Sequence, residues 1–488
     1  MTTNNLRRKA ASGIAWTAVQ KYSTMTIQFV SGIILARLLS PHDYGCIGML
    51  SIFMVLAEAL IDGGFGSALI QKKNPTQEDY STIFFWNLGM SSLMYAVLFV
   101  SAPVIARFFD IPLLCPVLRV QALVLFIYAF NLVQRNQLRK ALNFKLLSII
   151  TVTTSLISLG VTIILAYKGF GVWALVAQNL ITASIPAISF WFYVKWRPMW
   201  IFSWKSFKEL FGFGFYMFLM HLVNTFSLKL QGLLIGRVYN STTMGYFSKA
   251  MTTESMASES MSSIMNQVTY PLYSQAQDDK GLLANMIKRL TMTISYLTFP
   301  LMFILILTAK PIFVLLYSDR WLESVPYFQV LCFAGLAVCL QSVNLQSISA
   351  IGKSRITFFW TMIKASVRIV FITAGLWLGG MKGLLVGMVL SSWFYLFVNM
   401  SLVSKYIGYK LWEQVKNLAP IVIVSVIIAG ICYFVGELLS FNMFIEGIIM
   451  AVVYFFLYML WSILFKPEAF NYTIGFIPKK YKFWENCR

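Results

Sequence analysis

Apolar runs of about 20 residues recur along the whole chain, and six of them carry a cation in their interior: Lys21, Arg119, Lys229, Lys249, Lys364 and Arg368. A run of that length crosses a hydrocarbon core of about 30 Å as a helix. Lys or Arg at mid-bilayer costs about 2.5–3.5 kcal/mol on insertion scales. Six of them facing lipid would cost on the order of 15–20 kcal/mol, more than the net stability of a typical domain. They are therefore expected to face a wet interior between helices. Such an interior accepts something anionic.

Composition narrows the class. Charged residues make up 12% of the chain and hydrophobic ones 58%, whereas a soluble domain carries about 25% charge. The net charge is +21. In a soluble protein that would point to nucleic acid. Here most of the excess lies in short loops, so the orientation rule of membrane helices explains it and nucleic acid is not an expected partner. The six cysteines show no CxxC, and only His42 and His221 are present. Neither a metal site nor a bound cofactor is expected; H+ or Na+ is left as a coupling ion. Arg7, Arg8 and Lys9 before Ala10–Trp16 resemble a signal peptide only faintly, because Lys21 interrupts the apolar region. The segment reads as the cytoplasmic flank of a first helix.

The pattern predicts an all-α polytopic membrane protein with about 14 transmembrane helices. They fall near 12–37, 44–66, 80–106, 114–136, 144–167, 171–194, 208–236, 243–270, 286–316, 324–348, 355–378, 381–404, 418–437 and 443–465. The eighth is so polar that hydropathy alone would miss it. Alternate loops, with the C-terminal tail, hold about 26 Lys and Arg against about 7 in the opposite set, which places both termini in the cytoplasm. Losing one central helix would scramble that asymmetry. The outer loops are all short, which disfavours a membrane glycosyltransferase. Asn240-Ser241-Thr242 fits a glycosylation pattern, and chance explains one such match.

The chain repeats at an offset near 200 residues. Gly32-Ile-Ile-Leu-Ala-Arg37 matches Gly232-Leu-Leu-Ile-Gly-Arg237, and Tyr44-Gly45 falls opposite Met244-Gly245. Helices 1–6 and 7–12 thus read as two pseudo-symmetric six-helix bundles: an N-terminal lobe over 1–205, a C-terminal lobe over 206–407, and helices 13–14 with a basic tail over 408–488. Two parallel repeats around a midplane site form a transporter arrangement; a duplicated scaffold without transport is the bland alternative.

Several constellations fit that arrangement. Thr17, Gln20, Lys21, Thr24 and Gln28 form one polar stripe on the first helix, facing either a cavity or a hydrogen-bonding neighbour. At offset 200 Lys21 meets His221, whose helix adds Asn224, Thr225 and Lys229. Lys364 and Arg368 are one turn apart and repel, so an anionic ligand or a Glu partner is expected. Arg119 either joins this cationic set or snorkels to an interface. Glu58 and Asp62, followed by Gly63-Gly64-Phe65-Gly66, either relay protons or neutralise a cation such as Lys21. The eighth helix carries Lys249, Glu254 and Glu259 among many Ser and Thr. It is expected at the widest part of the cavity, with its two Glu as further coupling candidates. No Walker A loop and no nucleophile–His–acid arrangement is present, so an enzyme is not expected.

Gly32-Ile-Ile-Leu-Ala-Arg-Leu-Leu-Ser-Pro41-His-Asp-Tyr44-Gly45 and Asp62-Gly-Gly-Phe-Gly-Ser-Ala-Leu-Ile-Gln71 resemble the bacterial polysaccharide transporter family. Ala106-Arg-Phe-Phe-Asp110 and Gly169-Phe-Gly-Val-Trp-Ala-Leu-Val-Ala-Gln178 extend the likeness, which spans about residues 5–405. The nearest namesakes are Wzx-type flippases of the colanic acid exporter group, in the MOP superfamily with MATE exporters and MurJ. The resemblance implies a two-lobed helical bundle in the bacterial inner membrane. It implies movement of undecaprenyl-pyrophosphate-linked oligosaccharide between leaflets by alternating access, driven by ions or the membrane potential. Membrane lipids and polysaccharide polymerase machinery are the other implied partners, and a monomer is expected. A MATE-like ion-coupled exporter of small molecules is the alternative, along with a scramblase or an assembly scaffold.

Overall fold

The computed structural model describes residues 3–276, 278–439 and 442–475, and every regular element among them is helical. Among the described residues, eleven helices are long and apolar enough to cross a membrane. One of these, 356–407, bends at Gly379–Gly380 and holds two of the expected spans. The two long helices at residues 3–38 and 241–275 fall outside the eleven; they carry the polar stripes noted above. The all-α, multi-pass membrane fold is as expected. The chain divides into two compact units, Met1–Ser248 and Lys249–Arg488.

The first unit contains α1 (Thr3–Leu38), α2 (Pro41–Asp62), α3 (Phe65–Gln71), α4 (Gln77–Phe108), α5 (Leu114–Gln121), α6 (Leu123–Lys140), α7 (Phe144–Tyr167), α8 (Val172–Tyr193) and α9 (Trp204–Val238). It ends in the first turns of α10 (Ser241–Gln275). Local chemistry sets the boundaries. Ser40 and Asp43 form a reciprocal capping box ahead of Pro41 at the first helical position, a start signal in which the cap alone contributes about 1 kcal/mol. Thr76 and Asp79 repeat the device before α4. Lys140 donates to the carbonyls of Leu69, Ile70 and Lys72, closing the end of α3.

Two expected spans of the first unit are broken. The 44–66 helix stops at Asp62 because Gly63 and Gly64 both take positive φ, 52° and 77°, a conformation that glycine adopts without steric cost. A Cβ on Gly64 would stand 2.1 Å from the carbonyl oxygen of Gly214, so the break also lets α9 approach. The 114–136 helix divides at Ala122, which separates α5 from α6.

The second unit continues α10 and adds α11 (Lys280–Leu307), α12 (Ala309–Tyr317), α13 (Ser324–Ala350), α14 (Ser354–Ile407), α15 (Leu411–Leu439), α16 (Met443–Phe465) and α17 (Glu468–Gly475). The expected 286–316 helix is interrupted at Thr308. After the Gly379–Gly380 kink the limbs of α14 fold back on each other. Cβ atoms on Gly375 and Gly383 would meet the opposing carbonyl oxygens at 2.2 and 2.0 Å, so glycines permit backbone contact. α11 lies at the centre: Tyr296 donates to Ser462 Oγ at 2.7 Å, and Tyr458 donates to the Tyr296 carbonyl at 3.1 Å. These bonds satisfy hydroxyls that would otherwise be buried without partners.

Candidate functional site

The polar stripe of α1 faces a cavity inside the first unit. Thr17, Gln20, Lys21 and Thr24 line a space of about 520 Å³ together with Tyr128, Asn131, Arg135 and Arg139 of α6. Residues of α7 and α8, among them Thr151 and Thr182, close it. The threonines of α1 spend their hydroxyl protons on their own helix: Thr17 donates to Gly13 O and Thr24 to Gln20 O, each at 2.8 Å. Ser148 of α7 donates to Trp16 O at 2.8 Å and holds α1 against α7. Among the described residues the wall therefore presents three cations, Lys21, Arg135 and Arg139, and no carboxylate.

A smaller space of about 150 Å³ adjoins it, lined by Asp62, Tyr128, Arg135, Asn136 and Arg139. Asp62 is turned back onto its own helix end, where the backbone N–H groups of Gly64 and Gly66 donate to its carboxylate. A third space of about 330 Å³ holds Ser51, Glu58, Gln121, Tyr128, Asn179 and Thr182. Tyr128 lies on the wall of all three, so the unit has one connected polar interior.

Arg135 and Arg139 are the residues that sequence reasoning missed. It counted them as loop charges when orienting the helices. α6 runs on to Lys140, so both arginines occupy its last two turns and line the cavity, Arg135 half-buried and Arg139 exposed. The available signal was Tyr128, Asn131, Arg135 and Arg139 at spacings of three, four and four, the same kind of stripe that singled out α1. Gln121, Asn131 and Asn179 escape a reading that starts from interior charges, because none of them is charged.

The other expected site residues are not gathered at this place. Gln28, His221, Asn224 and Lys229 are exposed and, like Arg119, line none of the three spaces. His221 Nδ1 lies 3.5 Å from Thr225 Oγ1. Arg119 stacks over the Phe99 ring at 4.2 Å and its Nε donates to Phe99 O at 3.4 Å. In the second unit, Lys249 is buried, 3.9 Å from the Tyr317 ring centroid and 5.7 Å from that of Trp321. Lys364 and Arg368 share one aromatic neighbour: each cationic centre lies 5.6 Å from the Tyr395 ring. A π face thus stands beside the pair where a carboxylate or ligand was anticipated.

Glu259 is exposed, whereas Glu254 is buried against Gly335, at which a Cβ would stand 2.2 Å from Glu254 Oε1. That oxygen has no hydrogen-bond partner among the described residues. The ion pairs found among the described residues join Lys72 to Asp79 and Glu209, Arg237 to Asp110, and Lys288 to Glu468. None involves Lys21, Arg135 or Arg139; Glu58 and Asp62 act on Arg135, and Asp62 on Arg139, only at longer range.

Fold and site together define a class: a multi-pass helical membrane protein with a polar interior lined by Lys21, Arg135 and Arg139. Residues 34–326 match the family model described as polysaccharide biosynthesis protein, and the chain belongs to that family. It is 25% identical to the teichuronic acid biosynthesis protein TuaB of Bacillus subtilis, over 73% of this chain and 74% of that protein. It is 24% identical to the succinoglycan biosynthesis transport protein ExoT of Rhizobium meliloti, over 75% and 74% of the two chains. The lipopolysaccharide biosynthesis protein WzxC of Escherichia coli is 21% identical over 79% of each. Among solved structures, the lipid II flippase MurJ in an inward closed conformation has a TM-score of 0.72 at 15% identity, covering 93% of this chain and 99% of that one. An inward-facing MATE multidrug transporter of the MOP superfamily has a TM-score of 0.61 at 15% identity, covering 81% and 98%. The expected resemblance to polysaccharide transporters, and the MurJ- and MATE-like fold, are both found.

Proposed function

We propose that the chain is a flippase that moves a polyprenyl-pyrophosphate-linked oligosaccharide, with undecaprenyl as its lipid, across the bacterial inner membrane. The observation that carries this reading is the cavity lined by Lys21, Arg135 and Arg139 with no carboxylate among its described lining residues. A pyrophosphate offers several acceptor oxygens, and the guanidinium fork matches them in pairs. The polyprenyl tail stays in lipid while the polar head crosses through the protein. In this reading both termini are cytoplasmic, the repeats over 1–205 and 206–407 expose the head alternately to each side, and 408–488 supplies helices 13–14 and the tail. The protein acts as a monomer and delivers its product to polymerase machinery.

Directionality comes from a H+ or Na+ gradient or from the membrane potential. We assign coupling first to Asp62, beside the two arginines, and to the buried Glu254; Glu58 and Glu259 are secondary candidates. The carboxylates and the MATE-like fold favour a second reading, an ion-coupled exporter of small molecules. A cationic drug in a cavity walled by three cations is unfavourable, so the flippase reading stands first.

The test is reconstitution. Proteoliposomes carry lipid-linked oligosaccharide in one leaflet, and an impermeant glycosidase reports its arrival in the other. Wild-type protein should expose the sugar, and Arg135→Gln with Arg139→Gln should slow exposure at least about tenfold. Rates no faster than in protein-free vesicles would reject the function. An imposed ion gradient then separates driven transport from scrambling, which ignores it.

A further inference from the structure

The interior of the first unit is chemically divided. Its larger chamber presents Lys21, Arg135 and Arg139. The adjoining chamber of about 330 Å³ has no Lys or Arg among its described lining residues; its polar groups there are Ser51, Glu58, Gln121, Asn179 and Thr182, besides Tyr128. Val124, Tyr128, Thr182 and Ala183 line both, so a ligand in one reaches the other. The volume lies within the range of about 300–1,000 Å³ typical of small-molecule sites.

A second observation points to a ligand. Gln121 is only 7% exposed, lines this chamber, and its Oε1 has no hydrogen-bond partner among the described residues. A buried amide oxygen without a partner is costly, and a hydroxyl supplied by a ligand removes that cost. Gln121 and Asn179 can each donate and accept, and a carboxyl group at Glu58 accepts from hydroxyls. Tyr128 and Val124 add an aromatic and an aliphatic surface on which the apolar face of a pyranose can pack. Rich hydrogen bonding beside such a surface, without a cation, suits an uncharged sugar rather than a phosphate.

Resting on the flippase reading above, we infer that this second chamber is a saccharide subsite that holds the first sugar beyond the pyrophosphate and selects an uncharged hexose or N-acetylhexosamine. Arg135 and Tyr128 are seven residues apart on α6, roughly 10 Å along its axis. A head with its phosphates at the arginines therefore has its first sugar beside Tyr128. Glu58 sets the class of sugar. A hexuronic acid would bring a second carboxylate into a chamber that already holds one and has no Lys or Arg among its described lining residues; Arg135, the cation that acts on Glu58, lines the other chamber, and like charges so placed oppose binding.

The test uses the purified full-length protein in nanodiscs of neutral lipid and three probes: undecaprenyl pyrophosphate, the same lipid bearing one N-acetylglucosamine, and the same lipid bearing one glucuronate. Dissociation constants are read by native mass spectrometry. The N-acetylglucosaminyl probe should bind about tenfold more tightly than the bare lipid, and that ratio should fall towards one in Gln121→Ala and Asn179→Ala. The glucuronyl probe should bind about tenfold more weakly than the N-acetylglucosaminyl probe, a gap that Glu58→Gln narrows. A ratio of one in the wild type, a ratio unchanged in both variants, or a glucuronyl probe that binds as tightly would overturn the inference. The bare lipid keeps the two readings apart. If it binds and Arg135→Gln weakens it while the sugar adds nothing, only the saccharide subsite fails. If it does not bind, the flippase reading fails with it.

Discussion

Gly45 and Gly245 occupy reciprocal positions at the starts of α2 and α10. A Cβ on Gly45 would stand 1.7 Å from the carbonyl oxygen of Ser241, and a Cβ on Gly245 would stand 1.8 Å from that of Pro41. Both pairs are related by the 200-residue offset of the sequence repeat. Two helix starts therefore meet about a local two-fold relationship, with glycine as the only residue that fits on either side. Neither backbone can yield without moving a cap: Pro41 follows the Ser40–Asp43 capping box. Gly45→Ala and Gly245→Ala should each destabilise the protein by about 1–3 kcal/mol, the cost of overpacking. Gly89 and Gly160 have no atom within 4 Å of an added Cβ, so alanine there is the control. Thermal unfolding in detergent reads the difference; equal melting temperatures for all four variants would refute the contact.

The arginines of α6 make opposite predictions for binding and for stability. Arg135 and Arg139 are one turn apart and line the same two spaces. Like charges so placed repel by about 0.2–0.5 kcal/mol on a helix surface. Replacing either with Gln should leave the empty protein as stable or slightly more so. The same change should weaken binding of undecaprenyl pyrophosphate roughly 10- to 100-fold, the loss of one charge-assisted hydrogen bond. Arg135→Lys should fall between, because the charge remains and the paired donors do not. Paired thermal-shift and binding measurements decide it, and a variant that loses both properties together would count against a ligand-binding role.

These arginines also show where the sequence was legible. Helix type and most span positions followed from apolar runs, and the Gly379–Gly380 bend falls in the expected gap between 378 and 381. The stripe on α1 pointed at a cavity because a polar face has no place in lipid. The same logic failed on α6, where arginine near a helix end was read as an orientation signal. Counting loop charge cannot tell a residue in a loop from one on an inward-facing last turn; that depends on where the helix stops, and α6 stops at Lys140. Lys249 and the pair Lys364 and Arg368 were hidden differently. Tyr317 is 68 positions from Lys249, and Tyr395 is 31 from Lys364 and 27 from Arg368; of their aromatic neighbours only Trp360, one turn from Lys364, is visible to helix periodicity. Of the six interior cations, Lys21 alone is among the described residues lining these spaces of the first unit, and it lines the largest of the three.

Tyr395 carries a stability prediction of its own. Its ring faces both Lys364 and Arg368, and its hydroxyl donates to the Lys364 carbonyl. Tyr395→Phe keeps the ring and loses the hydrogen bond. Tyr395→Leu also loses the π face, at a further cost of about 1–3 kcal/mol for two cation–π contacts away from bulk water. Adding Lys364→Gln to the leucine variant should recover part of that cost by relieving the like-charge pair. A double-mutant cycle on thermal stability measures the coupling. Additive effects would mean that ring and cations are neighbours without interaction.

At the chain's far end, α17 is held to α11 by an ion pair that responds to acid. Lys288 Nζ lies 2.7 Å from Glu468 Oε2, and the Tyr472 hydroxyl donates to the same oxygen at 3.3 Å. The Lys288 hydrogen bond holds the Glu468 carboxyl below the ordinary glutamate value, against a smaller opposing effect of burial. A depressed carboxyl contributes stability that is complete above its unfolded value, about 4.3, and is lost as pH falls through the folded value. Docking of α17 should therefore be constant from neutral pH down to about 5 and loosen at more acid pH. The energy involved is small, because Glu468 is 57% exposed and solvent screens the pair. A spin label at Thr473→Cys would report mobility across this range. In Glu468→Gln the label should already be more mobile at neutral pH, and the acid transition should disappear. A transition that persists unchanged in that variant would assign the acid response to another group.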